Sequence, residues 1–487
     1  MTDQLMYRPE FFVGGDWTPP TGDDMFDVVS PSTEEVVGRV PVALNADVDS
    51  AVAAARNAFD EGPWPTLPAA ERADVLARAA ELLRQRHGEL GEVLVDEMGA
   101  TTTSAPFTAL MAADTFDYYA ELAREFPFER RIKNAHGAGL VVDEPVGVVG
   151  AIIPWNFPVI LASWKLAPAL AAGCAVILKP PLESPLGTFV FGEVLQEAGL
   201  PAGVLSIVPG GREVGEHIVT HPRVDKIAFT GSTAAGKRIM SLCGQQVKRV
   251  SLELGGKSAS VVLEDADLGS VIPALVSAAM VNAGQVCAMQ SRLLVPRSRY
   301  NEATDLAASA AAAVRVGDPH DANVDMGPLV SQRQRDRVEN YFAIAREEGV
   351  SIACGGGRPA NIPKGWFVEP TILTSVDNSM RVAREEIFGP VVSIIPHDGD
   401  EDAIRIANDS PYGLSGGVYS GDDERGLQAA RRIRTGTVFV NGSAAPPPLA
   451  PFGGFKESGI GRELGPEGLA NFLEVKSIGL PPSLAED

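Results

Sequence analysis

"VGVVGAIIPWNF", residues 146–157, runs eight small or β-branched apolar residues straight into a proline, an indole and an amide. No charge interrupts the run and Val and Ile dominate it, so it reads as a strand buried on both faces, ended at Pro154. Four further short runs follow, at 174–178 (CAVIL), 204–208 (VLSIV), 224–229 (VDKIAF) and 247–252 (VKRVSL). Helix-like stretches at 159–172 and 185–198 lie between them. Strands alternating with helices at this spacing predict βαβ units around a parallel sheet. Each run leads into polar or Gly/Pro residues: PWNF, KPP, PGG, TGS and ELGG. Open parallel sheets bind ligands beyond their carboxyl ends, so these loops are expected to form one rim around a nucleotide.

Working outward, "NADVDSAVAAARNAF" and "PAAERADVLARAAELLRQRHGELGEVLVDEMG" carry apolar residues at helical spacing, the second ended by Gly99, and the first segment reads as mostly helical. Beyond the ELGG turn, a second α/β stretch opens at "SASVVLEDADL" and continues to about residue 455, with Cys287 expected near a helix start. The run "SAAPPPLAP" at 443–451 reads as a stiff loop and "PPSLAED" as a tail. A chain of 487 residues is too long for one core, so two or three domains are expected. The net charge of −22 argues against nucleic acid and anionic membrane surfaces, which need clustered Lys and Arg. The start shows no export pattern and no apolar run is long enough to span a membrane, so a soluble cytoplasmic protein is expected. Cysteines at 174, 243, 287 and 354 form no C-x-x-C pair, and the six histidines show no metal-ligand spacing, so neither a disulfide framework nor a metal is expected.

Four motifs carry chemistry. "FTGSTAAGKR" at 229–238 resembles a phosphate loop, but Arg238 stands where Ser or Thr would hold magnesium. What survives is a strand turning through Gly231 and Ser232 into a helix whose free N–H groups suit a pyrophosphate. "ELGGKS" at 253–258 sets Glu253 at a strand end beside two glycines, a place for a general base or for an ordinary salt-bridge residue. "PWNFP" at 154–158 surrounds Asn156 with rings and prolines, where an amide serves either a turn or a developing oxyanion. "NAGQVCAMQSR" at 282–292 holds Cys287 among small and amide residues, either a structural thiol or a nucleophile.

With Lys179, "EEIFGPV" (385–391) and "PFGGFKESGIGRE" (451–463), these motifs stand in an order that resembles the aldehyde dehydrogenase superfamily, over about residues 10–480. The resemblance implies an α/β fold with a Rossmann-type parallel-sheet cofactor domain (1–123 and 146–255) and an α/β catalytic domain (256–455). An oligomerisation arm with the C-terminal tail would comprise 124–145 and 456–487. "GLVVDEPVG" and "NFLEVKSIGL" would supply its strands, the latter pairing with another subunit of a homodimer or homotetramer. The resemblance also implies NAD(P)-dependent oxidation of an aldehyde to an acid. Cys287 would be the nucleophile, Asn156 and the Cys287 backbone N–H the oxyanion donors, and Glu253 the base that activates water. Trp155, Gly231 and Ser232 would meet the pyrophosphate, Lys179 the adenine ribose, Glu386 and Gln334 the nicotinamide ribose, and Phe388 the nicotinamide ring. One departure concerns the cofactor: the family's K-P-x-E reads KPPLESP here, with Leu182 at the Glu position and Glu183 one place later. NAD is the expected cofactor and NADP the alternative. Phe157, Trp164, Met111, Val286 and Ala288 match positions that line the substrate tunnel, which suggests apolar aliphatic or aromatic aldehydes. The competing readings are a cysteine-dependent thioesterase and a non-catalytic protein on the same scaffold.

Overall fold

In a computed structural model, residues 6–443 and 446–484 are described. The five runs are the parallel strands Val148–Ile152, Ala175–Lys179, Leu205–Ile207, Lys226–Thr230 and Arg249–Glu253. In space they stand in the order Arg249–Glu253, Lys226–Thr230, Val148–Ile152, Ala175–Lys179, Leu205–Ile207. Strand order therefore reverses between Val148–Ile152 and Lys226–Thr230, and the loops leaving those two strands in opposite directions open a crevice. The same sheet gains the antiparallel strands Phe11–Val13 and Asp16–Thr18 at one edge and Gly459–Ile460 at the other. Helix Pro158–Ala172 explains its own apolarity: it is buried almost all round, between this sheet and helix Ala105–Glu125.

The N-terminal segment departs from the helical expectation. Helices do occupy Asn45–Asp60, Ala69–Gln85 and His87–Met98, and Gly99 ends the last with φ 76°. Before them, however, come Phe11–Val13, Asp16–Thr18 and a hairpin of Met25–Val29 with Val36–Pro41. These strands are too short to show a period; Phe11–Val13 pairs locally with Asp16–Thr18 and joins the large sheet through Phe12 and Ile207, far along the chain.

The second α/β stretch forms a seven-stranded sheet in the order Ser351–Cys354, Thr371–Thr374, Val391–His397, Arg292–Pro296, Ala259–Val262, Ser415–Tyr419, Thr437–Val440. All its pairings are parallel except the first. A third sheet is antiparallel, in the order Leu473–Leu480, Gly137–Pro145, Glu129–Asn134. The strand from "NFLEVKSIGL" thus pairs within its own chain, and its other edge carries exposed Val475 and Ile478. The tail "PPSLAED" is described only as far as Leu484, where a short helical turn ends, and 444–445 of the proline-rich loop lie outside the described residues. No helix among the described residues is long and apolar enough to cross a membrane, and the four cysteines are free thiols.

Candidate active site

All five rim loops line one continuous cleft. Its larger part, about 790 Å³, is bounded by Trp155, Lys179, Leu182, Glu183, Gly211, Arg212 and Phe229 among others. Its smaller part, about 390 Å³, contains Asn156, Leu254, Gly255, Cys287, Gln334, Glu386 and Phe388. Pro154, Trp155, Thr230, Gly231, Ser232 and Arg333 border both parts. Each volume lies in the range of roughly 300–1,000 Å³ usual for ligand sites.

A helix N-terminus lies at the junction. Ser232 caps helix Thr233–Gly244, accepting from the N–H of Ala235. The N–H groups of Thr233 and Ala234, in the first turn, have no intrahelical acceptor and face a cleft wall that Ser232 and Ala234 line. Lys179, at the end of its strand, is buried and donates to the carbonyls of Pro180 and Gly210. Burial lowers it to about 8, the Glu183 charge opposing, and its third N–H remains for a ligand. Glu183 pairs with Arg333 at 2.7 Å. In the phosphate-loop look-alike, Lys237 turns out to solvent and pairs with Glu457.

Cys287 is not at a helix start; it lies in a turn beyond the end of helix Leu268–Met280. Asn282, Ala283 and Gly284 take φ values of 50°, 52° and 72° in succession, which breaks the helix and throws the chain into the cleft. Gly284 has no alternative, because a Cβ there would stand 2.2 Å from the carbonyl oxygen of Gly389. Gln285 braces the turn, donating to the carbonyl of Asn282 and accepting from the N–H of Val330. The glycines of ELGG have the same kind of reason. A Cβ on Gly255 would meet the Glu386 carboxylate at 2.2 Å, and one on Gly256 would meet the Cys287 carbonyl at 2.7 Å. Three motifs separated by up to 130 residues thus close on one another backbone to backbone, with the Gly256 N–H donating to Glu386 at 3.0 Å.

Burial pushes the Cys287 thiol up to about 12, with the Glu386 and Glu253 carboxylates adding to it and the N–H of Ala288 opposing. Glu386 is itself raised to about 7 by burial, the Gly256 N–H opposing. Asn156 is buried; its Nδ2 donates to the Gln285 carbonyl at 2.9 Å and its own carbonyl accepts from Asn282. The second Nδ2 proton stays available beside Cys287, and no backbone carbonyl among the described residues accepts the Cys287 N–H. Glu253 is buried with neither carboxylate oxygen bonded, and burial together with Glu463 raises it well above the usual carboxylate range against Lys165 and Arg462. It does not line the cleft; its Oε1 would lie 2.6 Å from a Cβ on Gly453. Glu253 thus sits behind the cysteine and faces the 451–463 segment.

The other sequence candidates divide. Phe388, at φ 62°, lines the cleft with its ring edge-on to Trp155 at 5.3 Å. Gln334 lines it too, but its amide is engaged in donating to the Phe388 carbonyl at 2.7 Å, so it positions that ring. Of the tunnel candidates, Val286 borders only a minor crevice behind Glu386. Phe157, Trp164, Met111 and Ala288 border neither part of the cleft. Phe157 and Trp164 pack partly buried on the first core, and Trp164 meets Phe452 of the 441–454 loop at 5.2 Å. Sequence reasoning missed Arg337, whose guanidinium donates to the carbonyls of Glu386 and Ile387. It also missed the buried Lys165–Glu463 pair, 298 residues apart, which Thr230 joins through its hydroxyl. The spacing of Arg333 and Arg337 on one helix face was a usable signal; nothing local marked Lys165 or Glu463.

The sequence profile of the aldehyde dehydrogenase family matches residues 17–478. A geranial dehydrogenase from Castellaniella defragrans is 46% identical over 96% of this chain and 98% of its own. A Mycobacterium tuberculosis aldehyde dehydrogenase complexed with NAD+ superposes with a TM-score of 0.96 at 47% identity, covering 98% of this chain and 99% of its own. A mutant aldehyde dehydrogenase from Pseudomonas syringae, solved with NAD+ and octanal, gives 0.94 at 40% identity, covering 97% of this chain and 96% of that one.

Proposed function

The chain belongs to the aldehyde dehydrogenase family, and from that premise we propose how its cleft carries out the NAD-dependent oxidation of an aldehyde to a carboxylic acid. The residues fit a dinucleotide: a helix N-terminus for the pyrophosphate at the junction, a lysine with a spare N–H on one side, and Glu386 beside the cysteine on the other. NAD, when bound, supplies the acceptor for the hydride that leaves the aldehyde carbon. All other work falls to the protein. Cys287 releases its thiol proton to solvent, Sγ adds as thiolate to the carbonyl carbon, and the carbonyl π pair moves to oxygen. That oxyanion accepts hydrogen bonds from the free Nδ2–H of Asn156 and the Cys287 N–H, and keeps its charge. Its collapse restores C=O and leaves a thioester on Sγ. Water then adds to the thioester carbon, Glu253 takes the water's proton, and the C–S bond breaks to return the thiolate. In the present arrangement Glu253 is reserved behind Cys287, and it swings toward the sulfur for this step.

The observation that carries the reading is the convergence of Cys287, Asn156 and Glu386 in one pocket with the unpaired Glu253 behind it. The aldehyde of this reading is apolar, supported by two relatives named for, or bound to, geranial and octanal. Cofactor reduction, followed by absorbance across short, long and aromatic aldehydes, tests this. Wild type should turn over the long apolar ones, Cys287→Ala none. Glu253→Gln should give a burst of about one equivalent per site and then stall. An enzyme in which Cys287→Ala retains turnover overturns the assignment.

The large sheet, the seven-stranded sheet and the antiparallel sheet support a division into cofactor domain, catalytic domain and arm, in which Gly459–Ile460 would belong with the first sheet. The open edge of Leu473–Leu480 would pair two subunits of a homodimer or homotetramer. Four free thiols suit a reducing cytoplasm.

A further inference from the structure

The amino ends of three adjacent strands of the second sheet, Arg292–Pro296, Ala259–Val262 and Ser415–Tyr419, border a small cavity of about 10 Å³. Lys257, Ser258, Arg292 and Ser415 line it, and each is at most 5% exposed. Two cations are thus buried side by side, and among the described residues no carboxylate bonds to either. Arg292 donates to neutral acceptors, the carbonyls of Lys257, Ile406 and Ala407 and the amide oxygen of Asn378. Lys257 Nζ has no hydrogen-bond partner. The carboxylates that act on its charge are engaged elsewhere. Glu386 accepts from the Gly256 N–H at 3.0 Å, and Glu385 is held by Arg381 and Tyr341, each at 2.9 Å. Asp409, which acts on Arg292, pairs with Arg384 at 3.1 Å. Burial, with Arg292 adding to it, lowers Lys257 to about 7. Buried cations without a countercharge are costly.

The hydroxyls of Ser258 and Ser415, on the same cavity wall, have no partner either. An ammonium group and two O–H groups therefore face one small space as donors. A water there would accept from some of them and would then have to donate protons of its own. A monatomic anion accepts from all of them and offsets the charge. We propose that this cavity is a halide site, which holds one chloride or bromide ion on Lys257 Nζ and the Ser258 and Ser415 hydroxyls. Its volume admits a single occupant of about the size of a water, which excludes phosphate, sulfate and carboxylates. The ion restores to Lys257 the charge that burial disfavours. Lys257 also borders the crevice behind Glu386, so the ion stands one side chain away from the reactive pocket. The site is separate from the cleft and does not depend on the chemistry proposed there.

Halide exchange on the full enzyme tests this. An ion bound only by the folded state raises the thermal midpoint. Wild type should therefore melt several degrees higher in sodium chloride or bromide than in sodium gluconate of the same ionic strength. General salt effects act on wild type and variants alike, so the part that belongs to the site is the part a variant loses. Lys257→Met should lose most of the halide-against-gluconate difference. Ser415→Ala leaves every charge in place, should lose a smaller part of it, and carries the test if Lys257→Met fails to fold. Crystals soaked in bromide should show an anomalous peak against Lys257 Nζ. A water alone at that position overturns the proposal. So does bromide bound at crystal concentration only, with a halide-against-gluconate difference that both variants keep in full. Either result leaves the dehydrogenase reading intact.

Discussion

The Cys287 thiol should be nearly inert in the free enzyme, and neighbouring carboxylates should be part of the reason. At about 12, its thiolate fraction at pH 7.5 is about one part in 30,000, against about one in ten for an ordinary thiol near 8.5. Alkylation proceeds through the thiolate, so Cys287 should react roughly 3,000-fold slower than free cysteine. Burial is the first cause and Glu386 the second. Glu386, raised only to about 7, is about three quarters ionised at pH 7.5 and repels the thiolate. Removing one such neighbour is worth about one pKa unit, so Glu386→Gln should speed alkylation about tenfold. Glu253→Gln should do less, because Glu253 is raised well above the usual range and is less ionised. Iodoacetamide labelling of the Cys287 peptide, followed by mass spectrometry in a Cys354→Ser background, measures each rate. Wild-type labelling as fast as free cysteine, or equal rates in wild type and Glu386→Gln, would refute the electrostatic account.

Gly284→Ala must hold φ near 72° at about 1–2 kcal/mol and also push its Cβ off the Gly389 oxygen. It should lose activity by an order of magnitude or more with only a modest fall in thermal midpoint, and full wild-type turnover would show that the turn tolerates relocation. Lys165→Met leaves Glu463 buried without its cation, a loss of roughly 3–5 kcal/mol. Its denaturant midpoint should drop clearly, and an unchanged midpoint would mean that the pair contributes nothing. Glu97 is buried, caps Leu186 and Gly187 with both oxygens, and is raised to about 8 by burial. Between about 4.3 and that value the folded state holds a proton the unfolded chain releases, so wild-type stability should fall as pH rises through this window. Glu97→Gln should flatten that slope in thermal midpoints taken from pH 5 to 8; parallel slopes would exclude Glu97 as the source.

A lysine and an arginine also show how this cleft differs in kind from a surface site. Lys179 needs its strand end, two carbonyls and a wall of glycines to stay buried beside solvent, and its lowered value is the cost of that position. Arg333, by contrast, is exposed and held by a single ion pair to Glu183.

The five strands and their rim loops were legible because apolar runs of strand length are local facts, and parallel pairing makes them continuous. Cys287, Glu253 and Asn156 stood out in short motifs that left their roles open, and Glu386 was named only through the resemblance; the glycines beside them admit a neighbouring backbone or carboxylate. The first N-terminal strands were not legible, since Phe11–Val13 and Asp16–Thr18 are three residues long and Phe11–Val13 joins the large sheet only through Phe12 and Ile207, far along the chain. Nor was the turn that carries Cys287, whose three left-handed residues are held by Gln285 and by the Gly389 carbonyl opposite. The Lys165–Glu463 pair and the retreat of Glu253 behind the cysteine belong to the same class. Residue types and local spacing set which chemistry is available; charge, burial and strain arise from groups that only chain closure brings together, so tertiary structure alone decided how each is tuned.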